Sequence, residues 1–186
     1  MARIMLVDDE LNILRSLRRA IIAMPEHKFG GKLTIETFEQ PQAALERASA
    51  CAFDLVISDF RMPEMDGVTF LSALIAIQPN IARLMLSGYA DLQSVVAAIN
   101  RVHIFRFIAK PWDDYELETA ISQALQTRNL ELENKRLADL LRVQQGQLSR
   151  QELEMQKLEQ LYPGLTKVQR AADGSIDLDI DLDELP

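Results

Sequence analysis

Three aspartates and one lysine stand where short apolar runs stop. Asp8 and Asp9 close Arg3-Ile4-Met5-Leu6-Val7, and Asp59 closes Phe53-Asp54-Leu55-Val56-Ile57-Ser58. Lys110-Pro111 follows Phe107-Ile108-Ala109, and Ser87 ends a fourth run at 82–87. Carboxylates that converge suit a hard, oxygen-seeking cation. An amine and a hydroxyl beside them can neutralise and hold phosphoryl oxygens. The set as a whole therefore suits a divalent cation and a phosphoryl group.

Such convergence needs a scaffold that brings strand ends together. β-rich runs at 3–8, 33–38, 53–58, 82–87 and 104–109 alternate with helical patterns near 10–23, 41–50, 66–77 and 91–100, with another starting near 114. This order predicts βαβ units and a doubly wound parallel sheet of five strands, covered on both faces. In such sheets ligands bind beyond the carboxyl ends of the strands, where Asp8, Asp9, Asp59, Ser87 and Lys110 all fall. The stretch Met24–Gly31 reads as a long polar connection with His27 solvated, and His103 lacks a neighbouring Cys or His for metal binding.

Composition narrows the function classes. Residues 171–186 hold six acids and no Lys or Arg, and the rest carries 22 acids against 20 bases, so the net charge of −8 is mainly a property of the tail. That balance gives no electrostatic reason to bind nucleic acid. The longest apolar run, 68–77, is far short of a membrane helix, and Met1-Ala2-Arg3 runs straight into a strand without a leader pattern. A cytoplasmic protein without membrane contact is expected. The single Cys51 excludes a disulfide framework and reads as a packing or surface thiol.

Four motifs together carry a resemblance: Val7-Asp8-Asp9-Glu10, Ile57-Ser58-Asp59-Phe60-Arg61-Met62-Pro63-Glu64-Met65-Asp66-Gly67, Leu86-Ser87-Gly88-Tyr89 and Phe107-Ile108-Ala109-Lys110-Pro111-Trp112. Residues 1–128 resemble the receiver (CheY-like) domain of two-component response regulators. The resemblance implies a flavodoxin-like sheet of order 2-1-3-4-5. It implies that Asp59 accepts a phosphoryl group from a sensor histidine kinase or a small phosphodonor. It further implies Mg²⁺ held by Asp8, Asp9, Asp59 and the Arg61 carbonyl, with Ser87 and Lys110 stabilising the phosphoryl group. Ser87 and Phe107 would form the switch pair, and Lys110-Pro111 would be cis. Three close carboxylates without the ion should leave at least one with a raised pKa. Arg61 and Tyr89 occupy the positions that, by resemblance, face the hydrolytic water, and their bulk predicts slow self-dephosphorylation.

Beyond the receiver, Asp113 and Glu116 read as a capping box, and no strong breaker follows until Pro163-Gly164. A 4-3 spacing runs through Leu130, Asn134, Leu137, Leu141, Gln144, Leu148, Gln151, Met155 and Leu158. It predicts a marginal two-stranded coiled coil over 129–162, with Asn134 fixing register, and so a homodimer. A solvated connector helix is the alternative. Residues 163–186 form an acidic tail. Asp173-Gly174 between alternating stretches is a hairpin signal, although a disordered tail is equally compatible with the composition. The Asp alternation forms a line, not a calcium cage.

No helix-turn-helix or enzyme motif is read in 129–186. The expected function is a stand-alone response regulator whose phosphorylation switches a dimer or partner surface. No enzymatic activity is expected beyond phosphorylation and dephosphorylation of Asp59. The competing readings are a phosphorelay intermediate and an allosteric regulator subunit of an enzyme.

Overall fold

The computed structural model describes residues 2–88, 102–144 and 150–161. The expected helix at 91–100, Tyr89, Leu148 and the tail at 163–186 lie outside the described residues.

Strands β1 (Ala2–Val7), β2 (Leu33–Phe38), β3 (Leu55–Asp59), β4 (Ala82–Ser87) and β5 (Arg106–Ala109) form one parallel sheet of order β2-β1-β3-β4-β5. Helices α1 (Leu11–Ala23), α2 (Pro41–Ala50), α3 (Gly67–Ile77), α4 (Asp114–Gln144) and α5 (Arg150–Leu161) complete the order. The doubly wound architecture is the one expected.

Alternation along the strands explains why helices cover both faces. Ile4, Leu6, Leu55, Ile57, Leu84, Leu86 and Ile108 point to one side, where Leu14, Leu17 and Ile21 of α1 meet Leu117, Ile121 and Leu125 of α4. Met5, Val7, Val56 and Met85 point to the other, against Ala44 and Ala48 of α2 and Phe70, Leu71 and Leu74 of α3. Both sides of every central strand are apolar, so these strands read as continuous hydrophobic runs.

Several strand boundaries differ from the sequence reading by one or two residues, the largest shifts being at the starts of β3 and β5. Phe53 and Asp54 precede β3 because Asp54 bonds by its side chain. Its carboxylate accepts the Arg3 N–H at 2.7 Å and pairs with the Arg128 guanidinium at 2.7 Å. Arg128 also donates to the Asn80 carbonyl at 3.0 Å, which ties α4 to the sheet's amino edge. We expect Arg128→Ala to lower unfolding free energy by about 1–2 kcal/mol in a urea titration. Ile104 and Phe105 likewise precede β5, although the Phe105 N–H reaches the Arg83 carbonyl at 2.8 Å.

The stretch expected as a polar connection contains a 3₁₀ turn, Glu26–Phe29, whose Phe29 is buried in the α1–α4 face of the core. Gly30, at φ 72°, closes that turn in the left-handed region.

Helix α4 begins as the capping signal predicts: Asp113 accepts the Glu116 N–H at 3.0 Å. It crosses the expected domain limit at 128 without interruption. The extension is not one straight rod, however. Helix α5 lies beside α4, and a 350 Å³ cavity is lined by Leu132, Lys135 and Asp139 of one and Gln156, Lys157 and Gln160 of the other. The apolar residues of the 4-3 spacing that the structure describes do not line that seam. Leu130, Leu137 and Leu141 are 60%, 50% and 57% exposed, and Met155 and Leu158 are 54% and 41% exposed.

Candidate functional site

The carboxyl ends of β1, β3 and β5 bring Asp8, Asp59 and Lys110 together. Parallel register places Val7 beside Ser58, and Ser87 beside Ala109, so residues just past the strands become neighbours. The Lys110 N–H donates to the Ser87 carbonyl at 2.9 Å, which extends the β4–β5 ladder to the lysine. The Lys110-Pro111 bond is cis, as the resemblance implied.

One ammonium bridges two acids. Lys110 Nζ lies 2.7 Å from Asp8 Oδ2 and 2.5 Å from Asp59 Oδ1. The second oxygen of each acid accepts a loop N–H. Glu10 donates to Asp8 Oδ1 at 2.9 Å, and Arg61 donates to Asp59 Oδ2 at 2.9 Å. Each carboxylate is thus aimed by the backbone of its own loop and neutralised in part from a third strand.

The β3–α3 loop must turn back tightly to do this. Asp66 caps α3 by accepting the Thr69 N–H at 2.7 Å, and the Gly67 N–H donates to the Phe60 carbonyl at 2.9 Å. Gly67 therefore sits against the Asp59 carbonyl, where a Cβ would approach to 2.1 Å. The glycine is needed for space.

Burial sets the electrostatics. Asp8 is wholly buried and Asp59 nearly so. Burial pushes the Asp8 carboxyl above its ordinary value, and the hydrogen bonds from Lys110 and Glu10 only partly oppose it. The charge of Asp59 is the smallest contribution to that rise, so desolvation outweighs the mutual repulsion expected from sequence. Burial also disfavours the Lys110 ammonium, but its hydrogen bonds to Asp59 and Asp8 and their charges outweigh this and raise its pKa.

Two opposite linkages follow. A raised Lys110 contributes stability that is complete below 10.5 and is lost as pH climbs through its higher folded value. A raised Asp8 binds its proton better when folded, so its ionisation, from 3.8 upward, costs stability. Lys110→Met should therefore leave a buried charge unpaired and lose about 3 kcal/mol at neutral pH. Urea midpoints measured from pH 7 down to pH 4 should show that deficit shrinking.

The other expected residues are placed as follows. Asp9, at a bend just past β1, is exposed and lines a 400 Å³ cleft with Glu39, Pro41, Pro63 and Glu64. Among the described residues no group of three or more His, Cys, Asp or Glu side chains is gathered closely enough to hold a metal. Ser87 is 6% exposed at the end of β4. Phe107 is half-buried and packs on the α2–α3 face of the core. Ser58, which sequence reasoning passed over, donates to the Asp59 carbonyl at 2.9 Å. Its position beside an acid on a buried strand was the only available signal.

Residues 4–122 match the family model of the response regulator receiver domain. The chain belongs to that family. Among curated relatives it is 31% identical to the hydrogenase transcriptional regulatory protein HoxA of Cupriavidus necator, over 73% of this chain and 27% of that one. It is 30% identical to the DNA-binding transcriptional regulator NtrC of Escherichia coli, over 68% of this chain and 27% of that one. This receiver chain spans about a quarter of the length of the curated relatives it matches. Among solved structures, the signal receiver domain of an HD domain-containing protein from Pseudomonas fluorescens Pf-5 superimposes with a TM-score of 0.64 at 35% identity, covering 71% of this chain and 92% of that one. A protein of Neptuniibacter caesariensis gives a TM-score of 0.64 at 43% identity, covering 72% and 93%. Among the described residues no helix is long and apolar enough to cross a membrane.

Proposed function

We propose that this receiver takes a phosphoryl group on Asp59 from a sensor histidine kinase, with Mg²⁺ bound beside it. The observation that carries the reading is the Lys110 ammonium shared by Asp8 and Asp59 at three converging strand ends. Asp59 Oδ1 forms the new P–O bond while the P–N bond to the donor imidazole breaks. The Arg61 N–H keeps the other oxygen aimed. Lys110 then follows the transferred charge onto a phosphoryl oxygen, and Ser87 donates to another.

The donor set suits Mg²⁺, which takes carboxylate and carbonyl oxygens and retains waters. Asp8, Asp59 and the Arg61 carbonyl would hold it, with Asp9 turning in from the cleft. The ion would neutralise the charge that Lys110 now shares between two acids. The purified chain, given acetyl phosphate and Mg²⁺, should gain one phosphoryl group by intact mass, mapped to Asp59. A label on any other residue, or none, overturns the reading.

Downstream, we propose a regulator that acts through protein contacts, switched by Ser87 and Phe107. Exposed Leu130, Leu137 and Leu141 on α4, and Met155 and Leu158 on α5, support pairing with a second copy, along the spacing that Asn134 and Leu148 share in the sequence. Light scattering at high concentration should give a dimer mass. A monomer with and without a phosphoryl mimic removes this part of the reading. Phosphotransfer to a second histidine protein would instead favour a phosphorelay intermediate. Activity of a partner enzyme that follows Asp59 phosphorylation would favour an allosteric subunit.

A further inference from the structure

A groove of 300 Å³ opens at the amino edge of β4 and β5, on the side of the sheet away from Asp59. Pro79, Ile81 and Phe105 give it an apolar wall, and Phe105 is 38% exposed. Arg83 and Arg128 give it positive charge, with Glu131 the one acid on its rim. Arg128 is committed to Asp54. Arg83 is not committed: it donates only to the carbonyls of His103 and Pro79, at 3.3 and 3.4 Å, and has no carboxylate in ion-pair reach among the described residues. Neighbouring Arg106 likewise donates to a neutral group, Gln123, at 3.0 Å. Leu84 pairs with Arg106 across the ladder, so Arg83 and Arg106 fall on opposite faces of the sheet, and only Arg83 of the two lines the groove. Burial depresses the Arg83 pKa and Glu131 offsets only part of this, so the cation is incompletely compensated.

We infer that the groove receives residues 175–184 of this same chain. Three features select that occupant. Its sequence, Ser175-Ile176-Asp177-Leu178-Asp179-Ile180-Asp181-Leu182-Asp183-Glu184, offers acids at every second position and aliphatic side chains between them. This matches a groove whose one uncommitted cation, Arg83, stands beside an apolar wall. The segment contains no base that would satisfy its own acids. Its tether is also in place. Gln156, Glu159 and Gln160 near the end of α5 line a cavity that shares Pro79, Asn80, Ile81 and Arg128 with the groove. From Leu161, sixteen residues lead to Asp177, a reach of about 50 Å when extended. Docking there straps α4 to the edge of the sheet opposite the phosphorylation site.

The test uses the full chain with Asp177→Asn, Asp179→Asn, Asp181→Asn and Asp183→Asn combined, which leaves the folded core untouched. Amide exchange at Pro79–Arg83, Ile104–Arg106 and Thr127–Glu131 should rise about fivefold or more. Salt at about 1 M should produce the same rise in the unaltered chain, because such contacts are screened. Arg83→Gln should raise exchange within 175–184 while leaving the melting of the receiver intact. Unchanged exchange in the groove of the tail variant overturns the inference. So does protection that disappears on dilution, which would assign the tail to the groove of a second copy.

Discussion

Asp59→Asn is expected to abolish phosphoryl uptake, by at least about a hundredfold, while the fold persists. The amide is isosteric and keeps an oxygen for the Arg61 N–H that now binds Asp59 Oδ2 at 2.9 Å. It lacks the anionic oxygen that forms the acyl phosphate in the proposed function, and it withdraws one of the two charges that Lys110 bridges. Lys110 retains Asp8 at 2.7 Å, so the variant is left without an unpaired buried ammonium. Intact mass after acetyl phosphate and Mg²⁺ reads the result, and circular dichroism checks the fold. An Asn variant that still gains a phosphoryl group would show that another side chain is the acceptor.

Gly67→Ala is expected to be strongly destabilising. The new Cβ would stand 2.1 Å from the Asp59 carbonyl oxygen, 3.1 Å from its carbon and 3.2 Å from the Phe60 Cα. All three are backbone atoms, so no rotamer can yield. The neighbours on either side are fixed, because Asp59 pairs with Leu86 across the sheet and Asp66 caps α3. Loss of about 3 kcal/mol follows from overpacking alone. The urea midpoint should fall with an unchanged slope. Any relief must come from moving Asp59, so phosphoryl uptake should slow by roughly tenfold or more as well, since nucleophile placement controls the rate. A variant with wild-type midpoint and uptake would mean that the β3–α3 loop is not held against the strand.

The site was more legible than its electrostatics. Asp8, Asp59 and Lys110 each end an apolar run, and a parallel sheet collects such ends, so their meeting could be anticipated. Repulsion among three acids was expected to raise the pKa of at least one of them; Asp8 is raised, but burial is the larger cause. Asp9 sits outside the Asp8–Lys110–Asp59 group: it lies at a bend past the end of β1 and is exposed, which the run of apolar residues before it does not reveal. Phe29 and Asp54 were misjudged for one reason. A lone aromatic in a polar stretch, or an acid inside an apolar run, reveals its partner only when distant segments such as α4 are in place.

The C-terminal helices mark the boundary between the two kinds of information. Helical periodicity and the cap at Asp113 are local, and both are visible in the residues themselves. Whether α5 continues α4 or lies beside it, with Leu132 and Asp139 lining one cavity with Gln156 and Gln160, is not ranked by any local pattern.

The sequence by itself determined the alternation of strands and helices, the two-faced core and the identity of the acids at the strand ends. These depend on side-chain periods of two and 3.6 and on which residues can end a strand. Only the tertiary structure decided that Lys110 bridges Asp8 and Asp59, that Gly67 must be bare against Asp59, and that Arg83 lacks a carboxylate among the described residues. Those outcomes depend on distances between residues remote in the chain, and such distances exist only once the sheet has closed its register.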